Sequence, residues 1–300
     1  MDYTIENEIL KVTVSSRGAE LQSVIGKHIG NEYIWQADPE VWGRHAPVLF
    51  PIVGKLKNDE YSYQGQTYHM GQHGFARNME FALEEQTKEK LTFLLTDTEE
   101  TRAVYPFKFE FRVSYELLNN MIKESFHVTN KGEGDMIFGV GGHPGFALPV
   151  EDGVKKDDFY LQVNPAKPRV QVPLPLEGGL LNWEKRFLAP TESLITITDD
   201  LFKDDAMVLV MRHPDNKFSI KTETSRFHIN VRTDSAPYVG IWSQYPKTAD
   251  YVCIEPWWGI ADLTDTDGDL EDKKGMNRLA SGEDFEASFR MSFHSKVQSE

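Results

Sequence analysis

Three features of the chain predict an all-β fold built as one large antiparallel β-sandwich. Apolar and polar residues alternate along successive segments, Gly, Pro, Asn and Asp separate those segments, and no segment sustains a capped helical period. In chain order, Leu10, Val12 and Val14 form the first alternating run, and Leu91, Phe93 and Leu95 a later one. The clearest run sets Phe109, Phe111, Val113, Tyr115 and Leu117 against Glu110, Arg112, Ser114 and Glu116, turning one face to a core and the other to water or a polar groove. Asn119-Asn120 follows, and Ile122, Phe126 and Val128 then share one face. Asparagine tolerates positive φ, so the two runs form a β-hairpin. Phe227, Ile229 and Val231, and finally Phe285, Ala287, Phe289, Met291 and Phe293, complete the series. The Pro-rich stretch from Asn164-Pro165 through Pro168, Pro173 and Pro175 is the one candidate boundary. Runs of the same character flank it, so it reads as a long surface excursion, and residues 1–300 are expected to form a single domain.

Composition narrows the class of protein. The chain has 300 residues, 40% hydrophobic and 26% charged, which suits a soluble globular protein with a sizeable core. No stretch approaches the roughly 18 apolar residues of a membrane span. The start, Met1-Asp2-Tyr3-Thr4-Ile5-Glu6, lacks the basic and apolar parts of a secretory signal. A single cysteine, Cys253, excludes an internal disulfide framework. These features together predict a cytoplasmic protein. The formal charge of −15 argues against nucleic acid or an anionic membrane as partner. Locally, residues 41–58 carry Arg44, Lys55 and Lys57 and no acid, either a cationic spot for phosphate or sugar hydroxyls or a few solvated cations.

Two motifs carry the chemistry: Gly141-Gly142-His143-Pro144-Gly145-Phe146 and Cys253-Ile254-Glu255-Pro256-Trp257-Trp258-Gly259. Each places one ionisable side chain in an apolar, aromatic setting beside a proline. A histidine and a glutamate so held are the usual parts of a proton-transfer site. A lone His is as often a satisfied core residue, but a carboxylate among Ile254, Pro256 and two tryptophans is costly unless paired or used. The bland alternative for Glu255 is a strand-end residue facing solvent. A third element, Gln72-His73-Gly74-Phe75-Ala76-Arg77-Asn78, brings a His and an Arg into reach of one groove if the segment bends, arginine offering a planar fork of donors; the alternative is Arg77 in a surface ion pair. His69 and His73 have the spacing of helical metal ligands, but Met70-Gly71-Gln72 is poor helix, so no metal is expected there. The acidic run Asp265–Asp272 lacks the glycine and glutamate of a calcium loop and is expected to be a solvated turn. Neither a phosphate-binding Gly-rich loop nor a nucleophile-elbow serine is present.

Arg44 with Ala46-Pro47-Val48-Leu49-Phe50-Pro51, His73-Gly74-Phe75-Ala76-Arg77, Tyr105-Pro106-Phe107, Gly142-His143-Pro144-Gly145-Phe146 and Ile254-Glu255-Pro256-Trp257, in this order, resemble the aldose 1-epimerase (galactose mutarotase-like) family, and within it the branch typified by the LacX protein. The resemblance implies a β-supersandwich with a sugar site in a groove on one sheet, and interconversion of the α and β anomers of an aldose. It implies His143 as general acid, Glu255 as general base, and His73 as a contact to the sugar. Arg44 and Arg77 match positions that bind sugar hydroxyls or, in hexose-6-phosphate mutarotases, the phosphate. For the substrate-binding aspartate the candidates are Asp205 and its neighbour Asp204. The chain departs from the galactose mutarotase pattern around Arg44 and His73, which leaves the sugar open. No cofactor or metal is implied, the partner is a small-molecule sugar or sugar phosphate, and the chain is a monomer or homodimer. A carbohydrate-binding protein without chemistry is the competing class. Attraction between the two charges should raise the pKa of His143 and lower that of Glu255. Trp257, Trp258 or Phe75 could stack on the apolar face of a pyranose, core packing being the default role of each.

Overall fold

The computed structural model describes residues 1–148, 154–174, 179–224, 227–247 and 249–294. Two large antiparallel sheets form its body. The nine-stranded sheet runs, in spatial order, Ile195–Thr196, Phe159–Asn164, Lys217–Thr222, His228–Arg232, Asp284–His294, Met121–Asn130, Phe109–Leu118, Lys90–Thr96 and Ala82–Gln86. The second runs Phe187–Ala189, Arg169–Val172, Met207–Val210, Tyr238–Trp242, Tyr251–Trp258, Val140–Gly142 and Val48–Leu49, with Gly145–Ala147 also paired to Tyr251–Trp258. A four-stranded N-terminal sheet, Asp2–Glu6, Leu10–Ser15, Glu20–Gly26 and Asn31–Glu32, closes against the first through contacts such as Tyr3 on Phe93 and Tyr33 on Phe293.

The hairpin is formed as the alternation requires. Phe109–Leu118 pairs with Met121–Asn130 in continuous register, and Asn119 has φ 58° at the turn. Burial alternates along both strands. One acid lies on the buried face: Glu124, opposite Tyr115, is enclosed in the sandwich. Burial pushes its carboxyl up to about 8, partly offset by a hydrogen bond with Tyr115, so at neutral pH the core holds mainly a protonated acid.

One expectation is corrected here. The Pro-rich stretch is not a surface excursion. It is the crossover between sheets: Phe159–Asn164 lies in one, and Arg169–Val172, inside the stretch, lies in the other. Arg169 is buried and donates to Pro165 O at 3.0 Å, Asn216 Oδ1 at 2.9 Å and Thr191 Oγ1 at 3.1 Å, which ties the crossover down. Pro175 lies outside the described residues. Among the described residues the one α-helix is Glu99–Val104, whose Thr98 and Thr101 form a reciprocal capping box. At six residues it is too short to show a period.

The strand Tyr251–Trp258 is buried along its whole length. Val252, Ile254 and Trp258 belong to the core between the sheets. Alternation sends Cys253, Glu255 and Trp257 to the opposite face, where loops cover the sheet. A second apolar cluster, including Leu49, Val172, Val208, Trp257 and Ile260, lines that side.

Candidate active site

His143 and Glu255 meet as a cross-strand pair. Gly141 is opposite Trp257 and Gly145 opposite Cys253, so one register holds on both sides of His143-Pro144 and sets His143 facing Glu255. His143 Nε2 lies 3.1 Å from Glu255 Oε2, and both side chains are almost fully buried. Three glycines make this approach possible. A Cβ on Gly142 would lie 2.6 Å from the Phe289 ring, and one on Gly145 would lie 2.8 Å from Trp42. Opposite Glu255 on its other side, a Cβ on Gly240 would stand 2.5 Å from the Trp257 ring.

The pair sits in the wall of a cavity of about 500 Å³, within the range of small-molecule sites. His73, Arg77 and Asp205 also line it. His73 is held by a reciprocal contact: its N–H donates to Gly54 O at 2.8 Å, and the Gly54 N–H donates to His73 Nδ1 at 3.0 Å. Nδ1 is therefore unprotonated and the ring proton is on Nε2. Burial, then the proximity of His143 and Arg77, keeps His73 neutral, well below its ordinary pKa. Its φ of 67° and the glycine that follows bend the segment; a Cβ on Gly74 would lie 2.3 Å from Phe50 O. Arg77 donates from Nη2 to Gln72 O at 2.8 Å, while its Nε is buried with no hydrogen-bond partner. Asp205 adopts φ 71°; Asp204 is not part of the wall.

Arg44 is not brought to the cavity. It lies behind Arg77, donating to Arg77 O at 3.1 Å and to Asn78 Oδ1, and pairs with buried Glu20 at 3.6 Å. Lys57 Nζ is likewise engaged, with Thr266 O at 3.0 Å, so residues 41–58 do not present one cationic spot. His69 is exposed beside Glu60, away from His73's buried setting. The acidic run folds as turns in which Asp267 and Asp269 accept backbone N–H groups.

Electrostatics reverses the expected direction for the pair. Burial lowers His143 to about 3, and burial followed by repulsion from Asp205 raises Glu255 well above the carboxylate range. Desolvation is the largest cause of the shift in each group. Both shifts favour a neutral imidazole and a protonated carboxyl, a form that holds the same number of protons as the ion pair. Trp257 lines the cavity, whereas Phe75 packs on Phe50 and Tyr105, and Trp258 packs on Phe126. The sequence reading missed Trp42, stacked on His143 with centroids 5.0 Å apart, and Trp242, whose ring meets His143 edge-on at 5.7 Å. It also missed Lys203 and Gln244 on the wall. Only the alternation of Trp242 within Tyr238–Trp242 hinted at a cavity-facing side chain.

A family model described as aldose 1-epimerase matches residues 1–269. The chain belongs to the aldose 1-epimerase family. Within it, the plasmid and chromosomal LacX proteins of Lactococcus lactis subsp. lactis are 34% identical over 288 residues, covering 93% of this chain and 95% of theirs. A galactose mutarotase related enzyme from Lactobacillus acidophilus superposes with TM-score 0.97 at 62% identity, covering 98% of each chain. A galactose mutarotase-like protein from Lactobacillus casei gives 0.91 at 30% identity, covering 98% of this chain and all of that one (100%). The aldose 1-epimerase fold is thus the sandwich described above.

Proposed function

We propose that the protein is an aldose 1-epimerase that interconverts the α and β anomers of a small sugar, with His143 and Glu255 exchanging the protons. The supporting observation is the 3.1 Å contact between these two buried side chains in the wall of a cavity of about 500 Å³. Opening a cyclic hemiacetal requires one proton to leave the anomeric hydroxyl and one to reach the ring oxygen, two oxygens on the same carbon. Two groups in mutual contact span that distance without metal or cofactor. The resting proton lies on Glu255. Transfer across the 3.1 Å contact yields carboxylate and imidazolium, and sugar hydroxyls that donate to the carboxylate stabilise that form. Glu255 then takes the anomeric proton while His143 protonates the ring oxygen. Rotation about the first carbon–carbon bond, followed by the reverse steps on the other face, gives the second anomer. His73, through Nε2–H, and Arg77, Asp205 and Trp257 are the proposed contacts to the sugar, and Arg44 supports Arg77.

A pure binding protein has no use for two enclosed ionisable groups in contact, each far from its ordinary pKa. Lys203 and Arg77 on the wall favour one variant of the reading, a hexose 6-phosphate as substrate. Anomer exchange of freshly dissolved sugar, followed by polarimetry or NMR with catalytic amounts of protein, tests the proposal. Glu255→Gln and His143→Asn should each lower the rate by about 10²–10⁴-fold while the protein remains folded. Near-normal turnover by either variant removes that residue from the mechanism. Comparing glucose with its 6-phosphate decides between the two substrate classes.

A further inference from the structure

Cys253 has no place in the proton transfer, yet it projects from the same face of its strand as Glu255, two residues away. A ring nitrogen of His143, the sulfur of Cys253 and a carboxylate oxygen of Glu255 all lie within 4.8 Å of one another, and all three residues are buried. We propose that these three side chains form a site for a thiophilic divalent cation of the Zn²⁺ class, and that occupancy by the cation switches the proton-transfer pair off. The consequence for catalysis rests on the mutarotase reading; the site itself does not.

The chemistry of the donors selects the cation. Thiolate, imidazole and carboxylate are the tetrahedral ligands of zinc, whereas magnesium and calcium take oxygen alone. Bond lengths to zinc of about 2.0–2.3 Å put neighbouring tetrahedral donors about 3.3–3.8 Å apart. His143 and Glu255 already stand at 3.1 Å, so the closure needed is on the order of 1 Å, mainly a rotation of the Cys253 side chain. Charge also balances: a thiolate and a carboxylate neutralise a dication, which removes most of the cost of enclosing it. His143 and Glu255 line the cavity and Cys253 lies behind them, so a cation enters from the cavity and its fourth position faces the sugar site. The lone pairs that would accept protons from the sugar are then committed to the metal. Binding is therefore inhibitory.

The test uses Co²⁺ as an optical stand-in and Zn²⁺ as the inhibitor, on the full chain. One equivalent of Co²⁺ should give a thiolate-to-cobalt charge-transfer band together with the intense visible bands of a tetrahedral ion. Cys253→Ser should lose the charge-transfer band and bind Zn²⁺ at least about tenfold more weakly in competition with a chromophoric chelator. The Zn²⁺ concentration that halves its mutarotation rate should rise by the same factor, and a chelator should restore wild-type activity. Cys253→Ala supplies the same readouts if the serine variant misfolds. Absence of the sulfur band, or equal Zn²⁺ affinity in wild type and both variants, overturns the site. Full activity of the wild type with the site saturated overturns the switch. A chain that is inactive without metal refutes the mutarotase reading instead, and the optical titration still decides whether the site exists.

Discussion

Burial controls the protonation of single residues here, and two predictions follow at that scale. With His143 lowered to about 3 and Glu255 raised well above the carboxylate range, the pair carries its working number of protons across mildly acidic and neutral pH. Protonating His143 removes the acceptor, and ionising Glu255 removes the donor. The profile of kcat/KM should therefore lack a limb near about 6.5, where an ordinary imidazole titrates, and should fall only toward both extremes. A limb near that value would show that His143 is not desolvated in the free protein. Glu124 gives a stability test of the opposite kind of site. Its pKa is about 8 in the folded protein against an ordinary carboxyl value when unfolded, so its contribution is fully present below about 4.3 and is lost as pH rises to about 8. Glu124→Gln cannot ionise, and its melting temperature should gain on the wild type across that interval. The difference should grow by up to about 1.4 kcal/mol per pH unit. A constant difference between the two melting curves would mean that Glu124 is hydrated rather than enclosed.

At the scale of elements, the site depends on how closely a strand can pass over the core. Val140–Gly142 lies on Phe289 of the opposite sheet, with no room for a methyl group on Gly142. Gly142→Ala should lower the denaturation midpoint by an amount equivalent to about 1–3 kcal/mol. It should also cut kcat, because the displaced residue precedes His143. Phe289→Leu in the same background removes the ring edge and should recover part of both. If Gly142→Ala alone is neutral in stability, the sheets are further apart than described. The hairpin at Asn119 is governed differently, by a local positive φ that asparagine accepts without tertiary help.

Over the whole molecule, the cavity is supported from the N-terminal sheet. Glu20 accepts backbone N–H groups of His45 at 2.7 Å and Ala46 at 3.1 Å, and pairs with Arg44, which in turn holds the Arg77 carbonyl. Gly18 belongs to the same support: its N–H donates to Met79 O at 2.7 Å, and a Cβ on it would meet Arg77 O at 2.7 Å. Removing Arg44 leaves Glu20 buried without its cation and frees the Arg77 loop. Arg44→Ala should therefore destabilise by about 1–3 kcal/mol and raise KM several-fold with kcat largely kept. A change in kcat alone, at unchanged KM, would place Arg44 in the chemistry rather than behind it. Arg77→Ala should raise KM without the loss of stability, since its side chain faces the cavity.

The alternating runs and the Asn119-Asn120 turn determine the sandwich, and the motifs around His143 and Glu255 single out the candidate pair, because strand periodicity and turn chemistry act over a few residues. They could not show that His143 faces Glu255. That depends on a register shared by strands distant in the chain, set by packing of Gly142 and Gly145 against Phe289 and Trp42. The exclusion of Arg44 from the cavity, the entry of Trp42 and Trp242, and the crossover at Pro165–Pro173 have the same origin, since each depends on which loop covers which face. The protonation of the pair was misjudged for a related reason. Sequence neighbours reveal which charges exist, but only the folded enclosure decides how much water they lose, and here desolvation is the largest cause of both shifts.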